Sequence, residues 1–303
     1  MIPYVLVAIV ILAAAAARAA ARRAVERAVA SRLPVGADGI VPGAAAIALN
    51  VPGARAAVLL IHGFGDSPDS LRFLAAHLHA SGFAVYAPLL PGHGRTLGEF
   101  RASGRAAWLA AARSALADVA ARYERVGVVG LSMGGALAVL MAGDEPRVGA
   151  LALLAPYIAP PARLQWFARV APAVGALVPY IGRGASNPRS ILDPEERARS
   201  LGYGTSTPRL LSELNTLASD ARAALGRVRA PTLYVQSRED NRLTESAAEA
   251  TFAAIGAPVK RLEWVTGSGH VITVDYARRR VDELVTSWMV EHLRATAGAS
   301  AQS

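Results

Sequence analysis

The sequence of 303 residues contains no cysteine, and Lys260 is its only lysine. Without cysteine the chain can form no disulfide bond, no thiol nucleophile and no thiolate metal site. Arginine therefore supplies almost all of the positive charge, and the formal net charge is +9. Because the arginines are scattered and are not interleaved with aromatic residues, the composition predicts no nucleic-acid partner.

Sequence signals for cofactors and metals are also missing. The chain has no His-Glu-x-x-His, no Gly-x-x-x-x-Gly-Lys-Ser/Thr and no Gly-x-Gly-x-x-Gly motif after an apolar run. His77 and His79 lie two positions apart in a helical pattern. Side chains at that spacing point about 200° apart around a helix, which disfavours a shared metal ion. We therefore expect neither a cofactor nor a metal ion.

An uncharged apolar run, residues 2–17, lies at the N-terminus. As a helix it spans about 24 Å, and its alanine-rich continuation to residue 21 brings it close to the ~30 Å hydrocarbon core of a membrane. Residues 1–33 hold five arginines and one glutamate, a balance of +4, all after this run. By the positive-inside rule, this order predicts a membrane anchor through residues 2–21 and a cytoplasmic catalytic domain. The alternatives are a cleaved signal sequence of a secreted protein and a helix that packs on the domain.

Beyond this segment the chain alternates short apolar runs with helical patterns. With 53% hydrophobic and 18% charged residues, it is rich enough in apolar side chains to form a large core. Alternation of this kind predicts an α/β fold, with a mostly parallel sheet that has helices on both faces. The runs that predict buried strands are 44–49, 56–61, 83–87, 126–130, 149–154, 231–236 and 259–265.

The same pattern divides the chain into segments. A cluster of proline and glycine at 34–43 predicts a linker, and we expect the sheet and its helices to comprise 44–156 and 230–294. Residues 157–229 show no obvious strand, and a long insertion between two strands is typical of a cap over a binding site. Residues 295–303 are expected to form a frayed tail.

Residues 130–134 read Gly-Leu-Ser-Met-Gly, between an apolar run at 126–129 and a helical pattern at 135–142. This order predicts a strand, a sharp turn and a helix, with Ser132 at the apex of the turn. Side chains in place of the two glycines would collide with the helix and the neighbouring strand. The motif is typical of a nucleophilic serine, although a glycine-rich turn without chemistry has the same local pattern.

A serine nucleophile needs a base within hydrogen-bond reach, and the base needs a carboxylate that fixes its tautomer. In folds with this serine turn, the order along the chain is serine, acid, histidine. Only His270 and His292 follow Ser132. His270 comes just after the strand predicted at 259–265, at the sheet edge where ligands bind, whereas His292 lies in the last helical pattern. We therefore predict His270 as the base.

Two neighbouring acidic residues are candidates for the carboxylate. Glu239 and Asp240 both follow the strand predicted at 231–236. Asp275, a few residues after His270, is a weaker candidate. The residues themselves leave the choice between Glu239 and Asp240 open.

Backbone amides are the expected donors to the oxyanion that forms when a carbonyl group is attacked. The amide of Met133, the residue after the serine, is one of them. The amide of Phe64 is the other, since it lies in the glycine-rich turn after the strand predicted at 56–61. His62 lies in this turn and His93 in a second glycine-rich loop, and we expect both histidines to brace loops.

Together these segments resemble the α/β-hydrolase superfamily, and in particular its bacterial carboxylesterases and monoacylglycerol lipases. The resemblance implies an α/β-hydrolase fold with a small helical cap. It also implies Asp240, rather than Glu239, as the acid that acts with Ser132 and His270. The cap of the family aligns only loosely with 157–229, so no acyl-binding residue is implied. The segments that carry the resemblance are 62–70, 87–94, 130–135, 236–240 and 268–275.

The expected reaction is hydrolysis of a carboxylic ester through an acyl-enzyme on Ser132. Trp166 and Phe167 in the insertion predict an apolar acyl pocket, and a membrane anchor favours small apolar esters such as monoacylglycerols. Acyl transfer to an alcohol acceptor is one alternative, and a peptidase or C–C hydrolase on the same fold is another. A binding protein without catalysis is the third.

Overall fold

A seven-stranded sheet forms the centre of the computed structural model, which describes residues 2–182 and 188–294. The predicted tail, 295–303, lies outside the described residues. The strands are β1 (Ile47–Leu49), β2 (Ala56–Ile61), β3 (Ala84–Ala87), β4 (Arg125–Leu131), β5 (Val148–Leu154), β6 (Ile181–Gly182), β7 (Thr205–Ser206), β8 (Thr232–Ser237) and β9 (Lys260–Val265). In the large sheet their order is β1-β3-β2-β4-β5-β8-β9. β1 is antiparallel to β3, and the other neighbours are parallel.

Helices connect the strands and cover the sheet. They are α1 (Ile2–Arg32), α2 (Arg72–Ala80), α3 (Leu97–Ala102), α4 (Arg105–Ala120), α5 (Met133–Asp144), α6 (Ala162–Leu177), α7 (Pro194–Arg199), α8 (Pro208–Ala224), α9 (Glu245–Ala254) and α10 (Arg278–Arg294). One apolar layer lies between the sheet and α4, α5, α8 and α9, and the other lies between the sheet and α2 and α10.

Strand β2 shows why the apolar runs form this sheet. All six of its residues are buried, with Leu59 in one layer and Leu60 in the other. A parallel strand that is covered on both faces is apolar at every position, whereas a half-exposed strand alternates apolar and polar residues. The sequence of β2 is apolar at every position. The predicted α/β fold is confirmed, and each of the seven predicted strands is present with small differences at its ends.

The insertion contains three helices, α6, α7 and α8. It also contains a short antiparallel pair, in which Ile181 of β6 faces Ser206 of β7. The sequence of the insertion shows no obvious strand because a two-residue strand is too short to produce a periodic pattern. Residues 183–187 and the side chain of Phe167 lie outside the described part of the chain.

Helix α1 has two different halves. Its first half is exposed, and Leu12 has 68% of its surface accessible. Its second half packs on the domain, where Val29 and Leu33 are buried in the core. The Oε1 atom of Glu26 accepts a hydrogen bond from the Tyr180 hydroxyl at 2.8 Å. Burial of each apolar side chain contributes roughly 1.5–3 kcal/mol, so this half is held as part of the domain.

By length and composition, the same helix is able to cross a membrane. Its segment Tyr4–Arg32 has a mean hydropathy of 2.2 over the most apolar window, and none of that window is buried. A membrane anchor and a signal sequence share this composition.

Candidate active site

Ser132 lies in a strained turn between β4 and α5, as its motif predicted. Its φ of 54° and ψ of −114° lie in a region that residues other than glycine rarely adopt. Hydrogen bonds hold this conformation: the Ser132 amide donates to the Leu154 carbonyl at 2.9 Å, and the Ser132 carbonyl accepts from the Tyr157 amide at 2.9 Å. A side chain at Gly130 would collide with the start of α5, and one at Gly134 would collide with the end of β2. The glycines of the motif are therefore steric requirements of the turn.

Three predicted residues from distant parts of the chain form one hydrogen-bonded row. The Nε2 atom of His270 lies 2.7 Å from the Ser132 hydroxyl, and its Nδ1 atom lies 2.8 Å from Oδ2 of Asp240. The Asp240 side chain is fully buried, and the His270 side chain is 9% exposed. This geometry lets the imidazole accept the serine proton while the carboxylate accepts a hydrogen bond from Nδ1–H and stays ionised.

The Asp240 carboxylate is stabilised in its charged form. Burial by itself raises the pKa of this carboxyl, but the charge and hydrogen bond of His270 and two backbone amides outweigh burial and hold the pKa below its usual range. The amides of Arg242 and Leu243 donate to Oδ1 at 2.6 and 3.1 Å. The Gln236 side-chain amide donates to Oδ2 at 2.7 Å. Asp240 therefore remains an anionic acceptor beside His270.

The other acidic candidates have different partners. Oε2 of Glu239 accepts hydrogen bonds from the Ser237 hydroxyl and the Gly267 amide, both at 3.1 Å, so this side chain braces the loop that carries His270. The predicted rival base, His292, lies on α10 with its ring 4.2 Å from that of Trp288. Neither side chain is part of the hydrogen-bonded row.

Asp275 has a structural position that the sequence did not reveal. Its buried carboxylate accepts a hydrogen bond from the Gly269 amide at 2.7 Å, next to the proposed base. It also accepts hydrogen bonds from the amides of Leu192 and Asp193 in the insertion, at 2.8 and 2.9 Å. Asp275 thus ties the His270 loop to the insertion. No local sequence pattern predicts this role, because two of the hydrogen-bond partners of Asp275 are about 80 residues away in the chain.

The amide of Met133 and the turn that carries Phe64 lie beside the serine. Met133 is the first residue of α5, and a Cβ atom on Gly63 would lie only 3.5 Å from the Ser132 Cβ atom. Among the hydrogen bonds of the described residues, none is donated by either amide. The Phe64 ring is fixed by aromatic contacts, with centroids 5.1 Å from Phe100 and 5.7 Å from Trp108. Within the described part of the chain, both amides thus lack a protein acceptor, as an oxyanion donor requires.

His62 and His93 have the buried, neutral character of structural histidines. Burial lowers the pKa of His62 to about 4, even though its Nδ1 atom donates to the Gly63 carbonyl at 2.9 Å. Burial also lowers the pKa of His93 well below its usual range. The Nε2 atom of His62 accepts from the Leu90 amide at 3.2 Å, which joins the two glycine-rich loops. These contacts support the loop-bracing role predicted for His62. The Nδ1 atom of His93 donates within its own loop, to the Pro91 carbonyl at 3.1 Å, which agrees with the same role.

Comparison with protein families and curated proteins identifies the group to which this chain is related. A family model described as serine aminopeptidase, S33 (Hydrolase_4) matches residues 52–277, well over half of the chain. The chain belongs to the Hydrolase_4 family. A thermostable monoacylglycerol lipase from Bacillus sp. (strain H-257) is 28% identical over 78% of this chain and 90% of the lipase. A carboxylesterase from Bacillus subtilis (strain 168) is 27% identical over 78% of this chain and 93% of the esterase.

Solved structures agree with this membership of the family. A structure from work on the metagenome-derived lipolytic enzymes LipS and LipT is 31% identical, with a TM-score of 0.71, and the match covers 84% of this chain and 100% of that one. The monoacylglycerol lipase of Paleococcus ferrophilus is 20% identical with a TM-score of 0.70, over 82% of this chain and 98% of the lipase, and shares the fold. The predicted resemblance is confirmed, and the chain is a serine hydrolase of the α/β-hydrolase fold.

Proposed function

We propose that this protein hydrolyses carboxylic esters through an acyl-enzyme on Ser132. The observation that carries the proposal is the continuous row from the Ser132 hydroxyl through His270 to Asp240, with contacts of 2.7 and 2.8 Å. A serine hydroxyl is a weak nucleophile at neutral pH, and this row supplies both a base and the carboxylate that orients it.

In the first half of the reaction, the Ser132 oxygen attacks the ester carbonyl carbon while His270 Nε2 takes the serine proton. The carbonyl oxygen becomes an oxyanion, which accepts hydrogen bonds from the amides of Phe64 and Met133. Each such donor is worth roughly 100- to 1000-fold in kcat. The imidazolium then gives its proton to the leaving alcohol as the carbon–oxygen bond breaks, which leaves an acyl group on Ser132.

In the second half, water replaces the alcohol. His270 takes a proton from water as the water oxygen attacks the acyl carbon. The oxyanion forms again between the same two amides, and the protonated imidazole returns its proton to the Ser132 oxygen as the acyl bond breaks. A carboxylic acid leaves, and the free serine is restored. Asp240 accepts the Nδ1 hydrogen bond throughout and stabilises the positive charge that develops on His270.

We propose small apolar esters, including monoacylglycerols, as the substrates. The curated relatives are named as a monoacylglycerol lipase and a carboxylesterase. The insertion also presents apolar side chains, among them Trp166 with 63% of its surface exposed. The alternatives of acyl transfer and peptide hydrolysis receive no comparable support from these relatives.

A substrate series tests this proposal. Full-length protein is assayed with p-nitrophenyl esters of increasing chain length, 1-monoacylglycerols and aminoacyl p-nitroanilides, with and without added glycerol. We expect ester kcat/KM to exceed anilide kcat/KM by at least about 100-fold, since the relatives act on esters. We also expect free fatty acid as the main product at every glycerol concentration. Faster anilide hydrolysis, or an acylglycerol product that replaces the acid, would contradict ester hydrolysis as the function.

We also propose that residues 2–21 of α1, with their uncharged run at 2–17, anchor the enzyme in a membrane, with the catalytic domain in the cytoplasm. Apolar side chains such as Val10 and Leu12 are exposed over this half, and the arginines begin at its end, with Arg18. The second half of the helix is bound to the domain through Val29 and Leu33. The domain would therefore be held close to the bilayer rather than tethered at a distance.

Truncation separates the anchor from the catalytic domain. A variant that begins at residue 18 retains the packed half of α1, so we expect it to be soluble and to keep kcat/KM for a soluble short-chain ester within about twofold. The full-length protein is expected in the membrane fraction after a high-salt wash and in solution only after detergent is added. Full-length protein that stays in the high-speed supernatant would refute the anchor, and a shortened N-terminus found by mass spectrometry would identify a cleaved signal.

A further inference from the structure

A groove of about 460 Å³ lies between the second half of α1 and the start of α3, and its volume is in the range of small-molecule sites. It shares no residue with the proposed catalytic row. Its apolar wall includes the exposed side chains of Ala30 and Val35 and the nearly buried side chains of Val29, Leu33 and Leu97. Its polar rim includes Arg23, Arg27, Arg95 and Thr96.

The positive charge on one side of this groove is not neutralised by the protein. Arg23 and Arg27 lie one helical turn apart and are exposed, and within residues 2–182 and 188–294 neither forms an ion pair or a side-chain hydrogen bond. The one carboxylate on the rim, Glu26, is engaged elsewhere, with the Tyr180 hydroxyl at 2.8 Å and Arg101 at 3.7 Å. At Arg23 and Arg27 the rim is therefore suited to an anion, and the wall is suited to a hydrocarbon chain. On the other side of the groove, Arg95 and Thr96 contact the Glu99 carboxylate, at 3.8 and 2.7 Å.

The shape of the groove favours a single-chain ligand. Its lining runs along α1 from Arg23 to Leu33 and on to Val35, and the helical part alone is about 15 Å long. A long-chain carboxylate fits this arrangement with its charged head at Arg23 and Arg27 and its chain along the apolar wall. Two arginines form strong charge-assisted hydrogen bonds to a carboxylate.

We propose that the groove binds a long-chain fatty acid, the acid product of the ester hydrolysis proposed above. The identity of the natural ligand rests on that proposed function, whereas binding itself needs no catalysis. Position supports the proposal as well, because Arg23 lies about 9 Å along the helix beyond the uncharged run at residues 2–17. The mouth of the groove would then lie near the membrane surface into which a fatty acid partitions.

Binding is measured on full-length protein in phosphatidylcholine nanodiscs, by titration with dodecanoate and subtraction of empty nanodiscs. The double variant Arg23→Gln, Arg27→Gln removes the rim charge. The control variant Arg279→Gln, Arg280→Gln removes the same charge from an exposed part of α10. We expect the rim variant to bind dodecanoate at least about tenfold more weakly and the control to bind within about twofold of the parent. The active site is the same in the parent, the rim variant and the control variant. A difference in dodecanoate affinity between them therefore reports binding in the groove and not in the active site.

Three further ligands test whether the groove recognises a fatty acid rather than a hydrocarbon chain, an anion or a membrane lipid. We expect dodecanol, which has the chain without the charge, and inorganic phosphate, which has the charge without the chain, each to bind at least about tenfold more weakly than dodecanoate. Dioctanoyl phosphatidylglycerol tests a membrane lipid as the source of the anion. Equal dodecanoate affinity of the parent and the rim variant would overturn the proposal. A rim variant that loses affinity for phosphatidylglycerol but not for dodecanoate would overturn it as well. Absence of ester hydrolysis with intact groove binding would overturn only the proposed function.

Discussion

Replacement of Ser132 by alanine is expected to lower kcat for ester hydrolysis by about four to six orders of magnitude. The variant lacks the oxygen that forms the acyl-enzyme, so only the oxyanion donors and substrate binding remain to accelerate the attack of water. The change removes one atom from a partly exposed side chain and retains the glycines of the turn, so the fold should be preserved. Initial rates with p-nitrophenyl butyrate measure the effect.

A matched control for this variant is available in the same chain. Ser246→Ala removes the hydroxyl of an exposed serine in α9, which bonds only locally, to Thr244 at 3.1 Å. We expect the control to keep parental kcat, and both variants to retain the parental melting temperature within a few degrees. A Ser132→Ala enzyme with kcat within tenfold of the parent would show that another group is the nucleophile.

Replacement of Asp240 by asparagine is expected to lower kcat by about 10⁴-fold, the effect known for a triad aspartate. The asparagine side chain can present its NH₂ group to His270, which favours the tautomer with the proton on Nε2 and blocks its action as a base. Asparagine Oδ1 can still accept the hydrogen bonds from Arg242 and Leu243, so the loop should fold. Steady-state kinetics of the purified variant measure the loss.

The variant Glu239→Gln is the control for Asp240→Asn. In Glu239→Gln the side-chain oxygen still accepts from the Gly267 amide, and the row from Ser132 to Asp240 is untouched. We expect a loss of less than about tenfold, in the range of one weakened hydrogen bond. A larger loss in Glu239→Gln than in Asp240→Asn would mean that the acid has been assigned to the wrong neighbour.

The serine turn and the sheet were predictable because their causes are local. The motif around Ser132 combines a strand, a turn that only glycine allows on both sides, and a helix, and all three depend on neighbouring residues. The strands were found from apolar runs, since a sheet that is covered on both faces needs side chains that can be buried at every position. The same reasoning placed His270 and the acidic pair at strand ends, where the structure has them.

The choice between Glu239 and Asp240 could not be made from local pattern, because it depends on how the turn after β8 is folded. The amides of Arg242 and Leu243 donate to Asp240 and fix its carboxylate beside His270. Glu239 instead accepts from the Gly267 amide, at the start of the loop that carries His270. Only the family resemblance selected Asp240 before the structure was known.

Contacts between distant segments were the main features missed. The bond from Asp275 to the insertion joins residues far apart in the sequence, and no spacing rule predicts it. The packing of α1 did have a signal, since Val25, Val29 and Leu33 recur at every fourth position. The apolar run before them favours a membrane anchor for the whole segment, and packing on the domain was only an alternative prediction from the sequence. In the structure the second half of the helix packs on the domain.

The role of Ser132 can be measured directly by labelling with a fluorophosphonate, which reacts with an activated serine to form a stable adduct. Intact mass and peptide mapping of full-length enzyme then identify the modified residue, with His270→Ala as the control that lacks the base. We expect one adduct per chain, located on Ser132, and at least a hundredfold slower labelling of the His270→Ala variant, since general-base catalysis contributes roughly 10²–10⁴-fold. An adduct on another residue, or no adduct on a folded enzyme that hydrolyses esters, would contradict the assignment of Ser132 as the nucleophile.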